Sequence, residues 1–171
     1  EDVIKGCLKS IYKNTKEMEV YVLFNNTTDK SREIVEKQFP KVKIFSTDKT
    51  IGFAEASNLL AKKSKSENIV FLNNDVEVEK GWLDELIKTK NRHKNCEVVQ
   101  SKIKSYYKRK EFEYAGAAGG FIDIYGIPFC RGRIFNTIER DNKQYENEIR
   151  LFWGCGVCLL VNRKFFLKER V

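Results

Sequence analysis

Residues 68–83 read NIVFLNNDVEVEKGWL, and the fold turns on how they are parsed. NIVFLNN (68–74) opens as a nearly continuous apolar run, the pattern of a parallel strand buried on both faces. Asn73-Asn74-Asp75 supplies turn chemistry at its end. WLDELIKTK (82–90) then returns to helical spacing. A buried strand that runs through a turn into a helix is one step of an alternating α/β chain.

Reading outward, the same alternation recurs. Residues 2–14 place Ile4, Cys7, Leu8, Ile11 and Tyr12 at helical spacing, with Asp2 as the cap. MEVYVLF (18–24) is a second buried strand, NNTTDKS (25–31) a turn, and Ser31 caps a helix over 32–39 carrying Ile34, Val35 and Phe39. KVKIFS (41–46) predicts another strand, and FAEASNLLAKK (53–63) a helix with Ala54, Leu59 and Leu60 inward. Beyond residue 90, CEVVQSKI (96–103) reads as a strand. The glycine- and aromatic-rich stretch after 104 reads as irregular loops with one short strand near 121–124. DNKQYENEIR (141–150) is polar surface, residues 155–161 form a buried strand, and Arg163 leads into a last helix.

These elements predict one α/β domain with a mostly parallel, Rossmann-like sheet and helices on both faces. Residues 1–104 form one half of it and 105–171 the other. In such sheets ligands bind at the carboxyl ends of the strands. The polar clusters 25–29, 47–52 and 73–77 all fall there.

Composition bounds the rest. The 171 residues, 42% hydrophobic and with two prolines, describe a globular chain long enough to bury a core. No apolar run approaches the ~20 residues of a membrane span, and the N-terminus lacks a signal-peptide layout. The formal charge of +8 suits nucleotide diphosphates, nucleic acid or anionic lipid alike. Five cysteines, an odd number in mostly apolar settings, fit free thiols in a reducing, cytoplasmic compartment. Cys155-Gly156-Val157-Cys158 spells a CxxC, but no second pair completes a zinc site. His93, the single histidine, is assigned no role. There is no GxGxxG between strand and helix and no GxxxxGK[ST], which argues against dinucleotide-binding and P-loop enzymes. KIKSYYKRK (102–110) mixes basic and aromatic side chains. It reads either as a solvated connection or as a nucleic-acid contact.

Taken in order, NNTTDKS, IGFAEASNLLAKK and NIVFLNNDVEVEKGWL resemble the nucleotide-sugar-binding half of family 2 glycosyltransferases, rhamnosyltransferase-like members among them. AGAAGGFIDIYG and FWGCGVCLLVNRKFF resemble the acceptor-side loop and following strand of that family. The resemblance covers residues 2–168 and implies a GT-A-type fold, here truncated at both ends. It also implies inverting, metal-dependent transfer of a sugar from a UDP- or dTDP-sugar to a saccharide or lipid-linked acceptor, in cell-envelope polysaccharide synthesis in bacteria. The expected setting is the cytoplasm, at the inner face of the membrane, with membrane-surface association and no nucleic acid.

By this resemblance Asp75 binds the divalent metal, manganese or magnesium, which bridges a carboxylate to phosphate oxygens. Family members often carry Asp-x-Asp there, whereas this chain has Asn73-Asn74-Asp75, with Glu77 nearby. Asn25, Asp29, Gly52, Asn58, Asn73 and Asn74 complete the donor set. Asn25 and Asp29 stand in the nucleobase loop, where either could instead cap the next helix. Gly52 opens a helix whose N-terminus favours phosphate. Phe24 stands where the family usually has an aspartate, and it cannot accept a hydrogen bond. Trp153 and Gly154 match the acceptor corner, where an indole face either stacks on sugar or packs in the core. The catalytic base is expected downstream of Val171, so the chain reads as a fragment of a longer transferase. Two alternatives remain: a non-catalytic transferase-like binding or assembly module, and a basic nucleic-acid-binding domain.

Overall fold

A computed structural model describes residues 1–169. The chain divides into two compact units: Glu1–Ile69 with Asn74–Leu83 and Val161–Val171, and Val70–Asn73 with Asp84–Leu160.

The first unit opens with α1 (Asp2–Asn14), which buries Ile4, Cys7, Leu8 and Ile11 on one face, as their spacing requires. Glu1, not Asp2, occupies the N-cap, and no side chain bonds there; Asp2 lies in the first turn. Next come β1 (Tyr21–Asn25), α2 (Ser31–Gln38) and β2 (Lys43–Thr47), with β1 and β2 parallel and in register from Tyr21↔Lys43 to Asn25↔Thr47. Ser31 is the first residue of α2 and not its cap, because Lys30 holds that position. The helix stops before Pro40, where the residue preceding a proline is steered away from helical backbone. Tyr12 of α1 stacks on Phe39 at 6.0 Å between ring centroids.

The next helix, α3 (Phe53–Lys63), buries Ser57 and Ala61. Ala54, expected inward, is exposed. Small side chains at i and i+4 make the face that lies against neighbours, and Leu59 and Leu60 flank it half-buried. The strand β3 (Asn68–Leu72) begins in this unit, and α5 (Arg163–Glu169) completes it. Arg163 donates its backbone N–H to Glu67 O and its Nε–H to Ala61 O, both at 2.8 Å.

In the second unit Val70–Leu72 of β3 and Cys158–Leu160 of β9 (Cys158–Asn162) join β4 (Val98–Gln100) in a sheet ordered β3-β9-β4. The α4 helix (Trp82–Arg92) enters this unit at Asp84. Two hairpins follow, β5 (Gly120–Ile122) with β6 (Pro128–Cys130), and β7 (Arg133–Ile134) with β8 (Thr137–Ile138), both antiparallel. Phe112, Ala117 and Ala118 form a buried cluster beneath Ile138 and Tyr145. Gly132 is required beside it. Its φ is +92°, and a Cβ there would lie 2.8 Å from Phe112 Cγ. The KIKSYYKRK stretch folds on itself: Tyr106 meets Tyr107 edge-on at 5.3 Å, Arg109 lies over Tyr106, and Lys102 pairs with Asp141 and Glu146. All five cysteines are free thiols. Among the described residues no helix is long and apolar enough to cross a membrane.

Candidate functional site

The carboxyl ends of β1 and β2 lie side by side because the strands are parallel and in register. Asn25 closes β1 and holds the loop after β2. Its Oδ1 accepts from Ile51 N at 2.9 Å and Thr47 Oγ1 at 3.0 Å, and its Nδ2 donates to Ile51 O at 2.8 Å. Asn26, at φ +51°, donates its backbone N–H to Thr47 O and its amide to Thr50 Oγ1. Asparagine tolerates this left-handed backbone better than most residues. The result is an open polar depression lined by Phe24, Asn26, Thr27, Arg32, Ser46, Thr47 and Asp48. Phe24 is buried at its floor, with 5% exposure. Arg32 reaches it from α2 while pairing with Glu36 at 2.8 Å.

Asp29 follows on the same loop. Its Oδ1 accepts from Ser31 N and its Oδ2 from Ser31 Oγ, each at 2.9 Å. The Ser31 backbone N–H, then its hydroxyl, holds the carboxyl below its usual range. Asp29 therefore serves the start of α2 with both oxygens. Gly52 is the N-cap of α3, exposed, with nothing within 4 Å of where a Cβ would stand. Asn58, one turn into that helix, is half-buried.

Within the second unit Asn73 ends the strand by donating its backbone N–H to Val157 O at 3.0 Å. Asn74 and Asp75 form an exposed turn. The segment after them is strapped to α1: Val78 N donates to Ser10 Oγ, Asn14 Nδ2 to Val78 O, and Trp82 Nε1 to Thr15 Oγ1. That strap fixes the backbone just past Asp75, and among the described residues none forms a hydrogen bond or ion pair with its carboxylate. The described residues also contain no group of three or more His, Cys, Asp or Glu placed to hold a metal. A single carboxylate is not a protein cage, but magnesium is commonly bound through one or two carboxylates plus substrate phosphates. Asp75 fits that mode.

Trp153 is half-buried, and its Nε1 donates to Phe121 O at 2.9 Å. Its ring covers Gly120 so closely that a Cβ there would lie 2.1 Å from Trp153 Cδ2. Gly154 beside it is exposed. Gln100 ties this corner together, donating to Gly116 O and accepting from Cys155 N, both at 2.7 Å. A second polar knot joins α4 to Glu148, whose carboxylate accepts from Thr89 Oγ1 and Arg92 Nη1 and lies 2.7 Å from His93 Nε2. The Thr89 hydroxyl, the His93 ring and Arg92 hold Glu148 down to about 2. His93 thus has a local partner that no spacing in the sequence announced. Arg32 and Ser46 belong to no motif, and Asp48 enters only through the polar cluster 47–52; their places at the ends of adjacent parallel strands or on the next helix are the signal that finds them.

A model of the family described as Glycosyl transferase family 2 matches residues 1–168. The chain is 28% identical over 135 residues to the O-antigen biosynthesis protein RfbC of Myxococcus xanthus, covering 76% of this chain and 10% of that protein. It is similar to a crystal structure of S. aureus TarS 1–349, with TM-score 0.55 and 26% identity over 63% of this chain and 33% of the other. A second S. aureus TarS structure gives the same TM-score and identity over 64% of this chain and 20% of that one. The chain thus spans about a tenth of the curated relative and a third or less of the solved chains.

Proposed function

The chain belongs to glycosyl transferase family 2, and from that membership we propose that it binds the donor in transfer of a sugar from a nucleoside diphosphate to a saccharide or lipid-linked acceptor. Its fold is the α/β, GT-A-type fold that the sequence resemblance implied. The similarity to an O-antigen biosynthesis protein supports cell-envelope polysaccharide synthesis as the reaction's context, and the cytoplasmic face of the membrane is its proposed setting.

The observation that carries the reading is Asp75, exposed on a turn straight after β3 and strapped to α1 by the residues that follow. A divalent magnesium or manganese ion held there would neutralise the charge that builds on the leaving diphosphate. The chain's own residues supply position. The depression floored by Phe24 is shaped by the Asn25 clamp and takes the nucleobase of a UDP- or dTDP-sugar. Asn26, Thr27, Ser46 and Asp48 offer polar atoms at its rim, and Arg32 adds positive charge. The α3 N-terminus at Gly52 presents backbone N–H groups that favour phosphate. In the inverting displacement the acceptor oxygen bonds to the anomeric carbon as the carbon–oxygen bond to the diphosphate breaks, and a carboxylate base takes the hydroxyl proton.

Thermal melting with UDP or dTDP, with and without manganese or magnesium, tests this. A ligand at about 100 times its Kd stabilises by ~2.7 kcal/mol, a rise of roughly 5–10 °C for a chain of this size. The rise should need metal and vanish in Asp75→Ala. A metal-independent rise that Asp75→Ala leaves intact would remove Asp75 from the site. Stabilisation by single-stranded RNA and by no nucleotide would overturn the reading.

A further inference from the structure

The β5–β6 hairpin carries apolar side chains on both faces and at its tip, with Arg131 lying over the half-buried Phe121 at the base of one face. In register, Phe121 pairs with Phe129 on one face and Ile122 with Pro128 on the other. Ile122, Ile127 and Phe129 are exposed, and at the tip Ile124 and Tyr125 are 91% and 82% exposed. Asp123 is the one charged side chain between Gly120 and Cys130, and it is turned to the hairpin's own backbone. Its Oδ1 accepts from Tyr125 N and Ile127 N, each at 2.9 Å. The backbone closes in the same way, with Asp123 N donating to Ile127 O and Gly126 N to Asp123 O.

A soluble surface rarely displays so much contiguous hydrocarbon without a partner. A flat protein partner would cover one face of a ribbon, whereas here both faces and the tip are apolar. A medium that surrounds the tip matches that distribution. Turn N–H groups already bonded within the hairpin lower the cost of leaving water, which is the condition hydrocarbon imposes on backbone. Tyr125 is amphipathic, the kind of side chain that rests at headgroup depth. At the base Arg131 donates to Ala118 O and lies over Phe121, and Arg133 lies over Tyr114 and donates to Phe135 O, so it is the chain's net charge of +8 that complements anionic headgroups.

We propose that residues 122–129 insert shallowly into the interface of an anionic lipid bilayer. The proposal does not depend on nucleotide binding, and its test is separate. The full chain is floated with vesicles of phosphatidylcholine alone or mixed with phosphatidylglycerol. The wild type should bind the mixed vesicles, less so as salt rises. Ile124→Ser/Tyr125→Ser, which leaves the charge unchanged, should weaken that partition at least ~10-fold, since each buried methylene contributes about 0.8 kcal/mol. Tyr125→Trp should add an emission component that shifts to the blue with mixed vesicles. Equal partition of wild type and double variant, or an unshifted Tyr125→Trp emission, overturns the proposal. So does a concentration-dependent dimer that the double variant abolishes without any vesicle binding, which would assign the tip to a second copy of the chain.

Discussion

Gly120→Ala tests what Trp153 is for. The φ of Gly120 lies outside the left-handed region, so alanine adds no backbone strain and the substitution isolates one contact. The new methyl would lie 2.1 Å from both Cδ2 and Cε2 of Trp153 and 2.6 Å from Cε3. These are ring-fusion atoms and a neighbour, not the far end of a flexible chain. Restoring ordinary contact needs the indole to move by roughly 1.4 Å. The ring is not free to do so, because its Nε1–H is bonded to Phe121 O and the Trp153 carbonyl accepts from Gly120 N at 3.3 Å. Overpacking of this kind costs about 1–3 kcal/mol. Loss of the indole hydrogen bond in a half-buried place adds about 1–3 kcal/mol. Against this, alanine narrows the unfolded ensemble by about 0.4–1 kcal/mol.

The expected net loss is ~2–4 kcal/mol, read as a shift in the urea midpoint at unchanged slope. In a Trp153→Leu background the same Gly120→Ala change should cost about 1 kcal/mol or less, because the group it strikes has gone. A loss below ~0.5 kcal/mol in the wild-type background would show that the ring yields easily. It would leave sugar stacking, the other reading of the family's acceptor corner, as the better account of Trp153.

Two further substitutions separate framework from site. Asn25→Ala removes two accepted bonds and one donated bond, and should cost ~2–3 kcal/mol and expose the Ile51 amide to hydrogen exchange. Asn25→Asp keeps both accepted bonds but turns a carboxylate oxygen toward the Ile51 carbonyl, so it too should destabilise; equal exchange at Ile51 in wild type and Asn25→Ala would refute the clamp. Glu148 is held down to about 2 from an ordinary 4.5. A carboxyl depressed in the folded chain stabilises above its unfolded value and loses that contribution as pH falls toward the folded value. Wild-type stability should therefore decline between about pH 4.5 and pH 2 with a component that Glu148→Gln lacks. Superimposable acid-unfolding curves would show that the Thr89–Arg92–His93 knot does not matter to stability.

Where periodicity is strong the fold was legible. Ile4, Cys7, Leu8 and Ile11 announced α1, and Gly52 marked the start of α3 at Phe53. The apolar run predicts the third strand through Asn74, but it stops at Leu72, because a turn with polar side chains begins where the backbone of Asn73 finds Val157. The β6 strand and the β7–β8 hairpin were not legible. Pro128 sits inside β6, a residue that normally argues against a strand, and two-residue strands leave no period to count. The helix over 53–63 predicts Ala54 inward, yet the buried face of α3 runs through Ser57 and Ala61. The Glu148 knot joins residues more than fifty apart in sequence, a pairing that no local pattern encodes.

The family resemblance implies the candidate donor residues, and a resemblance does not say where a polar group's bonds are made. The hydrogen bonds of Asn25 go to Ile51 and Thr47, and those of Asp29 to Ser31. A ligand that took over those atoms would break a bond for each one formed, so the exchange would contribute little net free energy. Asp75 stands differently. Its backbone is positioned by the strap to α1, while its carboxylate would give up only water to the proposed metal. The Asn25 and Asp29 bonds shape the loops that line the depression, and substituting them should weaken a nucleotide by disordering those loops. Substituting Asp75 should weaken the nucleotide without moving the melting temperature of the unliganded chain. That difference between lost order and lost contact is the physical ground for proposing Asp75 as the site and Asn25 and Asp29 as its frame.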